Sequence, residues 1–497
     1  MKQSEFIRLD GVDIVSLIQQ KKVMAEEVLE ASFKQLGIVN GELNATTHLR
    51  EKDVYKDAQE VTMEGALAGL PIFLKDISQS LKGSPLTGGS RLLQNMITPT
   101  NSNFVQRIVD AGCLPMGHTT TPEFALKNIT EPEVHGQTKN PWNLDFSPGG
   151  SSGGSAALVA SGVMPIAGAS DGGGSIRIPA SFSSLFGLKP TRGRTPVGPG
   201  VGRNWHGAAI EFVLTRSVLD SARMLDVLQI VQQEAAFQTP LFLGSYEKHI
   251  EKPFDRPLNI GFSMESPVFT PVSNDAKKAT KKVLHWLEEQ GHYVEEVDND
   301  IDGEQLMRNY FLMNSGEMAT LVENLESSLQ RKVTADDMEI ESWVLNVAGK
   351  NVFATEFSKS IASWDLAAEK MANFHQAYDF YITPATAFTA PEIGELTPSL
   401  SNANELREQI ELLESDQQQA LIYEMFLPGL TYTPFTQLAN LTGQPAMSVP
   451  VHLTDLGLPL GVQVIAPKGD EHKLLQLANQ LEQSHLWIGM KGNPYYK

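Results

Sequence analysis

The chain has 497 residues, a formal net charge of −20 and one cysteine, with 41% hydrophobic and 20% charged residues. This composition is ordinary for a globular protein, and the length alone suggests two or three domains. The negative balance argues against nucleic acid or anionic lipid as a general partner, while a lone Cys113 excludes an internal disulfide and any multi-cysteine metal site.

The first residues, MKQSEFIRLDGVDIVSLIQQKK, scatter charges and contain no apolar run of the kind a signal peptide needs. The most apolar span, 156–169, is broken by Gly162 and Pro165 and is too short to cross a membrane. A soluble, cytoplasmic protein with no membrane association is expected.

Apolar residues at helical spacing predict helices over 12–20 and 25–36, followed by a strand at 45–49 and a helix at 52–61. Residues 70–74 form an apolar run of strand length that ends at Lys75, a place where an amine can be desolvated. A helix at 102–111 and a strand at 114–117 continue an alternation typical of α/β sheets. The segment 119–147 is long, irregular and rich in Pro, Asn and Thr; it reads as the approach to a site, with Thr121, Glu123 and Thr130 beside the chemistry. Further on come a helix at 217–230, a strand–helix–strand unit over 258–297 that reads as an appended lobe, and a helical, acidic region from 304 to 430 interrupted near 381–385. The end reads as helix 435–441, strands 446–451 and 459–466, and helix 471–482.

Ser147 to Thr191, SPGGSSGGSAALVASGVMPIAGASDGGGSIRIPASFSSLFGLKPT, holds two glycine–serine loops. The first, Gly149 to Ser155, runs into a small-residue helix; the second, Asp171-Gly172-Gly173-Gly174-Ser175, precedes a helix start at Arg177. Glycines let the backbone approach a ligand and leave N–H groups free to converge on one atom. That suits an oxyanion hole, whose donors wait for charge that develops in the transition state. Other readings of these loops are weaker. Gly149-Gly150-Ser151-Ser152-Gly153 satisfies the G-x-S-x-G elbow of α/β-hydrolases, but no apolar strand precedes it. A glycine loop before a helix can cradle phosphate, but no phosphate-loop or dinucleotide fingerprint occurs. The histidines are dispersed without metal-ligand spacing, and His118, His135 and His206 read as structural or exposed, so no metal is expected.

The segments Pro148–Ser155, Gly173–Arg177 and Gly187–Thr191, with Asn140–Asn143 and Gly69–Asp76 upstream, resemble the signature of the amidase signature family. The resemblance is detailed over 70–194 and looser to both ends. It implies one α/β domain over 1–497, a central mixed, twisted β-sheet covered by helices on both faces. The signature core would be 70–194, and 304–430 a variable, mostly helical region that shapes the substrate pocket. It further implies a Ser–cis-Ser–Lys triad without cofactor: Ser175 as nucleophile, Ser151 as the cis serine relaying a proton, and Lys75 as general base. The backbone N–H groups of Gly172, Gly173, Gly174 and Ser175 would form the oxyanion hole, with Ser152, Asp171 and Arg177 in support. A lysine base must be neutral, which requires its pKa to fall roughly two to three units from about 10.4. Burial achieves this if no carboxylate pairs with the amine; Asp76, the next residue, should point the other way by strand alternation.

Members of the family include amide hydrolases and the glutaminase component of a tRNA-dependent glutamyl/aspartyl amidotransferase. Ile178, where the latter carries Gln, and Arg192-Gly193-Arg194, in place of Tyr-Gly-Arg, favour a hydrolase. Residues 130–133, 190–194 and 391–396 are most similar to bacterial amidases of the 6-aminohexanoate cyclic dimer hydrolase type. The implied substrate is a small-molecule amide, linear or cyclic, cleaved through an acyl-enzyme; a homodimer is left open.

Overall fold

Short runs of apolar and β-branched residues, bounded by Gly, Pro, Asn or Ser, become strands here. The structure, a computed structural model, describes residues 2–62 and 64–496. Its strands are β1 (Thr46–Leu49), β2 (Pro71–Lys75), β3 (Leu114–Thr119), β4 (Ile166–Asp171), β5 (Phe186–Lys189), β6 (Ile210–Thr215), β7 (Asn259–Phe262), β8 (Tyr293–Glu296), β9 (Phe380–Pro384), β10 (Ala446–Leu453) and β11 (Pro459–Ile465). All join one sheet in the order β1-β3-β2-β4-β6-β5-β10-β11-β9-β7-β8. The sheet is mixed: β2 pairs in parallel with β3 and β4, and β7 with β8 and β9, while the other neighbours run antiparallel. In β2, β4, β6 and β11 every residue is buried. Successive strand residues point to opposite faces, so both faces of the sheet are covered.

One sheet therefore draws on the chain from Thr46 to Ile465, and the two or three domains suggested by length do not arise. The expected appended lobe is absent too: β7 and β8 form the edge of the same sheet through the β7–β9 pairing. The Asn274–Glu289 helix between them ends before Gly291, whose φ of 88° ends the helix in a left-handed turn. Most expected elements lie within a few residues of the observed ones, although the second helix continues to Leu43. Strands β6, which pairs with β4, and β5, which pairs with β6 on its far side, are additional.

β2 and β4 both end at the same edge because they are parallel neighbours, with Phe73 opposite Ala167. β6 begins there, with Ile210 opposite Asp171. Lys75, Ser170, Asp171 and Glu211 are thus brought to one rim, the usual place for a ligand in a sheet with parallel strands. Above the rim stand the helices Gly303–Leu329, Ile340–Gly349, Ala354–Phe374, Leu400–Leu412 and Ser415–Tyr432. They carry an apolar cluster separate from that of the sheet, including Phe311, Met318, Trp343, Ile410 and Ile422.

Candidate active site

Lys75 is the last residue of β2 and is completely buried. Its Nζ lies 2.7 Å from Ser151 Oγ and 2.9 Å from Ser170 Oγ. Ser151 follows Gly150 through a cis peptide bond and sits just before the Gly153–Ala160 helix. Ser152 turns to the sheet instead, where its hydroxyl donates to Ser170 O at 3.2 Å. Thr130 steadies the loop by donating to Gly149 O at 2.9 Å, and a Cβ at Gly150 would lie 2.5 Å from Ile129 O, so that position admits only glycine.

Burial lowers the Lys75 pKa to about 7, against the opposing pull of Glu211 and Asp171, whose negative charges favour the ammonium. Asp76 points elsewhere, as alternation requires: it accepts Thr87 N–H at 2.9 Å and the Thr87 hydroxyl. Burial raises its pKa to about 6.

The second loop is held from beneath by a buried ion pair. Arg177 Nη2 and Nε approach the two Asp171 oxygens at 2.9 and 3.0 Å. Arg177 also donates to Thr436 O at 2.7 Å, Gln463 Oε1 at 2.6 Å and Asn440 Oδ1 at 2.6 Å. Burial alone would raise the Asp171 pKa; the Arg177 guanidinium overrides this and holds it at about 2. Asp171 in turn accepts N–H groups of Gly174 at 2.7 Å and Ile176 at 3.2 Å.

The Gly174 contact bears on the expected oxyanion hole. The Gly174 N–H is committed to Asp171 and is not available to a ligand. Gly172, Gly173 and Ser175 have no backbone N–H partner among the described residues, and all three line the cavity. Gly174 has another duty: its φ is 131°, and a Cβ would come within 2.2 Å of Thr436 Oγ1. Gly172 and Gly173 are fixed through their carbonyls, which accept from Tyr310 Oη at 3.1 Å and Thr436 Oγ1 at 2.7 Å. Around Gly172 a Cβ would meet nothing closer than Ala209 at 3.5 Å, so glycine leaves room there that a side chain could fill.

Ser175 is half-buried and faces the same cavity as Ser151. Among the described residues, no side-chain hydrogen bond is made by Ser175. The cavity has a volume of about 810 Å³. Apolar side chains dominate its walls, among them Leu93, Phe124, Trp205, Phe311, Leu406 and Phe426.

Residues that sequence reasoning missed are Ser170, Glu211, Gln79, Tyr310 and the Thr436–Asn440–Gln463 set. Ser170 and Glu211 are cross-strand partners on β4 and β6. Of the histidines read as structural or exposed, His118 is buried with Nε2 3.2 Å from Gln79 O, and burial lowers its pKa to about 4. His135 Nε2 lies 2.8 Å from Thr87 Oγ1, and His206 Nε2 2.9 Å from Glu317 Oε1. Among the described residues, no group of three His, Cys, Asp or Glu is placed to hold a metal ion, and no helix is long and apolar enough to cross a membrane.

A sequence profile of the Amidase family matches residues 27–475. The lipoamidase of Enterococcus faecalis is 35% identical over 484 residues, 97% of this chain; the chain spans 64% of that relative's length. The 6-aminohexanoate-cyclic-dimer hydrolase of Paenarthrobacter ureafaciens is 32% identical over 491 residues, covering 97% of this chain and 96% of the relative. A solved 6-aminohexanoate cyclic dimer hydrolase superposes with a TM-score of 0.89 at 30% identity, covering both chains fully. A glutamyl-tRNA(Gln) amidotransferase chain from Thermotoga maritima is more distant, at 24% identity and a TM-score of 0.72, and shares the fold. By profile, sequence and fold, the chain belongs to the amidase signature family, whose chemistry is the hydrolysis of amide bonds.

Proposed function

We propose that the protein hydrolyses the C–N bond of a non-peptide carboxylic amide, with Ser175 as nucleophile, Ser151 as proton relay and Lys75 as base. The observation that carries this reading is the 2.7 Å contact between the buried Lys75 amine and Ser151 Oγ, at the floor of the cavity that Ser175 faces. A neutral amine accepts the Ser151 proton as Ser151 takes that of Ser175, and Ser175 attacks the carbonyl. Negative charge on the carbonyl oxygen is met by the N–H groups of Gly172, Gly173 and Ser175, which need no reorganisation. The proton then returns through Ser151 to the departing amine, leaving an acyl-enzyme. Water activated by the same relay attacks the ester and releases the acid.

Asp171 and Arg177 fix the loop that presents these donors, and Ser152 ties the first loop to β4. Residues 70–194 carry the chemistry in this reading of 1–497 as one domain, and 304–430 shapes the pocket. The substrate is a small-molecule amide cleaved without tRNA or another protein chain, in the cytoplasm. A cyclic or linear 6-aminohexanoate amide is the first candidate, on the similarity to the cyclic dimer hydrolase over nearly its whole length. The long apolar wall favours a second: an amide of an extended apolar acyl group, such as lipoamide, in keeping with the other relative.

The test is a panel of primary amides, anilides, lipoamide and linear and cyclic 6-aminohexanoate oligomers, assayed with the purified chain. Release of amine or ammonia without partners is expected. Cleavage of glutamine alone, and only with charged tRNA and a partner protein, would instead establish the amidotransferase reading.

A further inference from the structure

Glu211 is a second carboxylate at the floor of the cavity, and the steps above leave it without a task. It is 4% exposed and lines the cavity. In the β4–β6 ladder it stands directly opposite Ser170, so the two side chains share one face of the sheet, with Cβ atoms about 5 Å apart. Ser170 Oγ is the group 2.9 Å from Lys75 Nζ. Gln79 binds both partners from the side: its Oε1 accepts the Lys75 backbone N–H at 2.9 Å, and its Nε2 donates to Glu211 Oε2 at 3.0 Å. Its Nε2 also donates to Ala169 O at 3.0 Å, which fixes the amide's orientation. A Cβ on Gly168 would lie 2.0 Å from Gln79 Oε1, so the sheet is built to admit this glutamine.

We propose that Glu211 is the buried counter-charge of Lys75, a positioning residue that stabilises the ammonium formed when Ser175 is deprotonated through Ser151. The inference rests on Lys75 being the base. Complete burial of an amine, uncompensated, makes it neutral but also a poor proton acceptor. The best base at a given pH is one whose pKa lies near that pH. A carboxylate across the ladder restores basicity without a direct ion pair that would hold the proton permanently. Burial also raises the pKa of Glu211, opposed first by a hydrogen bond from Ser78 and next by the charge of Lys75, so the two groups compete for charge inside one small volume.

Most other charges near the pair are already engaged. Asp171 on β4 is held by Arg177; Lys189 on β5 donates to Pro190 O at 2.8 Å. Asp76 faces Thr87, His118 on β3 contacts the Gln79 carbonyl, and Arg203 and Lys127 line the cavity. Lys127 is paired with Glu339 at 2.7 Å. Glu211 is therefore the carboxylate at this floor without a cationic hydrogen-bond partner of its own, among the described residues.

The experiment compares kcat/KM for an anilide, and the rate of Ser175 labelling by a fluorophosphonate, across pH in wild type, Glu211→Gln, Glu211→Asp and Lys75→Ala. Removing a negative charge eases deprotonation of Lys75, so in Glu211→Gln the acidic limb should move to lower pH by about one unit or more. Glu211→Asp should show a smaller shift in the same direction, and it keeps the test available if the glutamine variant does not fold. A limb that stays in place or moves up in the folded variants overturns the proposal, even if activity falls. A limb that persists unchanged in Lys75→Ala, followed by the labelling rate, overturns the assignment of Lys75 itself and with it this inference. Loss of the limb in Lys75→Ala with no shift in the Glu211 variants refutes the counter-charge alone.

Discussion

In the cavity floor, built from 71–79, 149–177 and 210–211, polar side chains are held by hydrogen bonds and a bidentate ion pair; in the wall, 303–329 and 415–432, side chains are held by apolar contact. Asp171 and Arg177 are wholly buried and share partners with Asn440, Gln463 and Thr436, so each group fixes the next. Across the cavity, Phe311 stacks on Phe426 with ring centroids 4.9 Å apart, and Arg308 covers the ring of Tyr423 at 4.0 Å. Directional bonds in low dielectric lose much energy when displaced by a fraction of an ångström. Apolar contacts tolerate volume-conserving change at small cost. On the proposed function, the floor can keep one chemistry while the wall admits different acyl groups, and substitutions in the two regions should fail in different ways.

The largest effect should come from the floor. Ser175→Ala is expected to lower kcat about 10⁴-fold or more with the thermal midpoint almost unchanged, since one hydroxyl at a half-buried position is removed. A Ser151/Ser175 double mutant should be scarcely worse, because groups acting as a unit lose their contribution together. Residual turnover near that of wild type would show that the nucleophile lies elsewhere.

Lys75→Ala should cost about 10³-fold, and Lys75→Arg nearly as much, because a guanidinium stays charged and cannot accept a proton. For the wild type, the depressed pKa fixes the direction of the pH dependence. In the proposed mechanism the active form is the deprotonated amine, so kcat/KM should rise as pH increases through about 7 and then stay level. A histidine limb would fall in the same range; His118, His135 and His206 substitutions should leave it in place. An active Lys75→Arg enzyme would remove Lys75 from the role of base.

Much of this floor is legible in the sequence. The apolar run ending at Lys75 and the two glycine–serine loops stand out locally, because each element needs particular residues at fixed offsets. The partners that make the floor rigid do not. Thr436, Asn440 and Gln463 lie more than 250 residues beyond Arg177, and nothing in their neighbourhood marks them as ligands of its guanidinium. β6 is hidden for a different reason. Its Ile210-Glu211-Phe212-Val213-Leu214-Thr215 has the apolar, β-branched content of a strand, but a charge near its start and the irregular turns before it weaken the pattern. The strand without a clear signal is the one that carries the unassigned carboxylate. The committed Gly174 N–H is likewise invisible locally, since a row of three glycines does not reveal which donor a neighbouring aspartate will take.

A substitution beneath the loop should act on stability first. Arg177→Met leaves the Asp171 carboxylate buried without its cation, and breaking such a pair by removing one partner costs about 3–5 kcal/mol. Urea unfolding should show this as a lower midpoint with similar slope. The sign of the pH effect follows from Asp171 itself: its folded pKa, about 2, lies below the unfolded value near 3.8. The stabilisation is present above about pH 4 and is lost as pH falls toward 2. Asp171→Asn should therefore flatten that part of the stability profile. A variant as stable as wild type and equally acid-sensitive would mean that the ion pair does not hold the loop.

The smallest effect should come from the wall, and it should depend on the substrate. Phe426 is only partly buried, lines the cavity and loses one stacking partner, Phe311, when truncated. Aromatic pairs of this kind are worth about 0.5–1.5 kcal/mol beyond the area they bury. Phe426→Ala should raise KM for an amide with a long apolar acyl chain about tenfold, leave kcat nearly unchanged, and alter KM for acetamide-like substrates less than twofold. Such a split is the signature of lost ground-state binding, since an interaction kept equally in substrate and transition state lowers KM without raising kcat. A Phe426→Leu variant, which preserves an apolar surface, should recover most of the loss. If kcat fell equally for every acyl group, the wall would be holding the floor in register instead of selecting what lies upon it, and the division between fixed chemistry and adjustable specificity would not hold for this cavity.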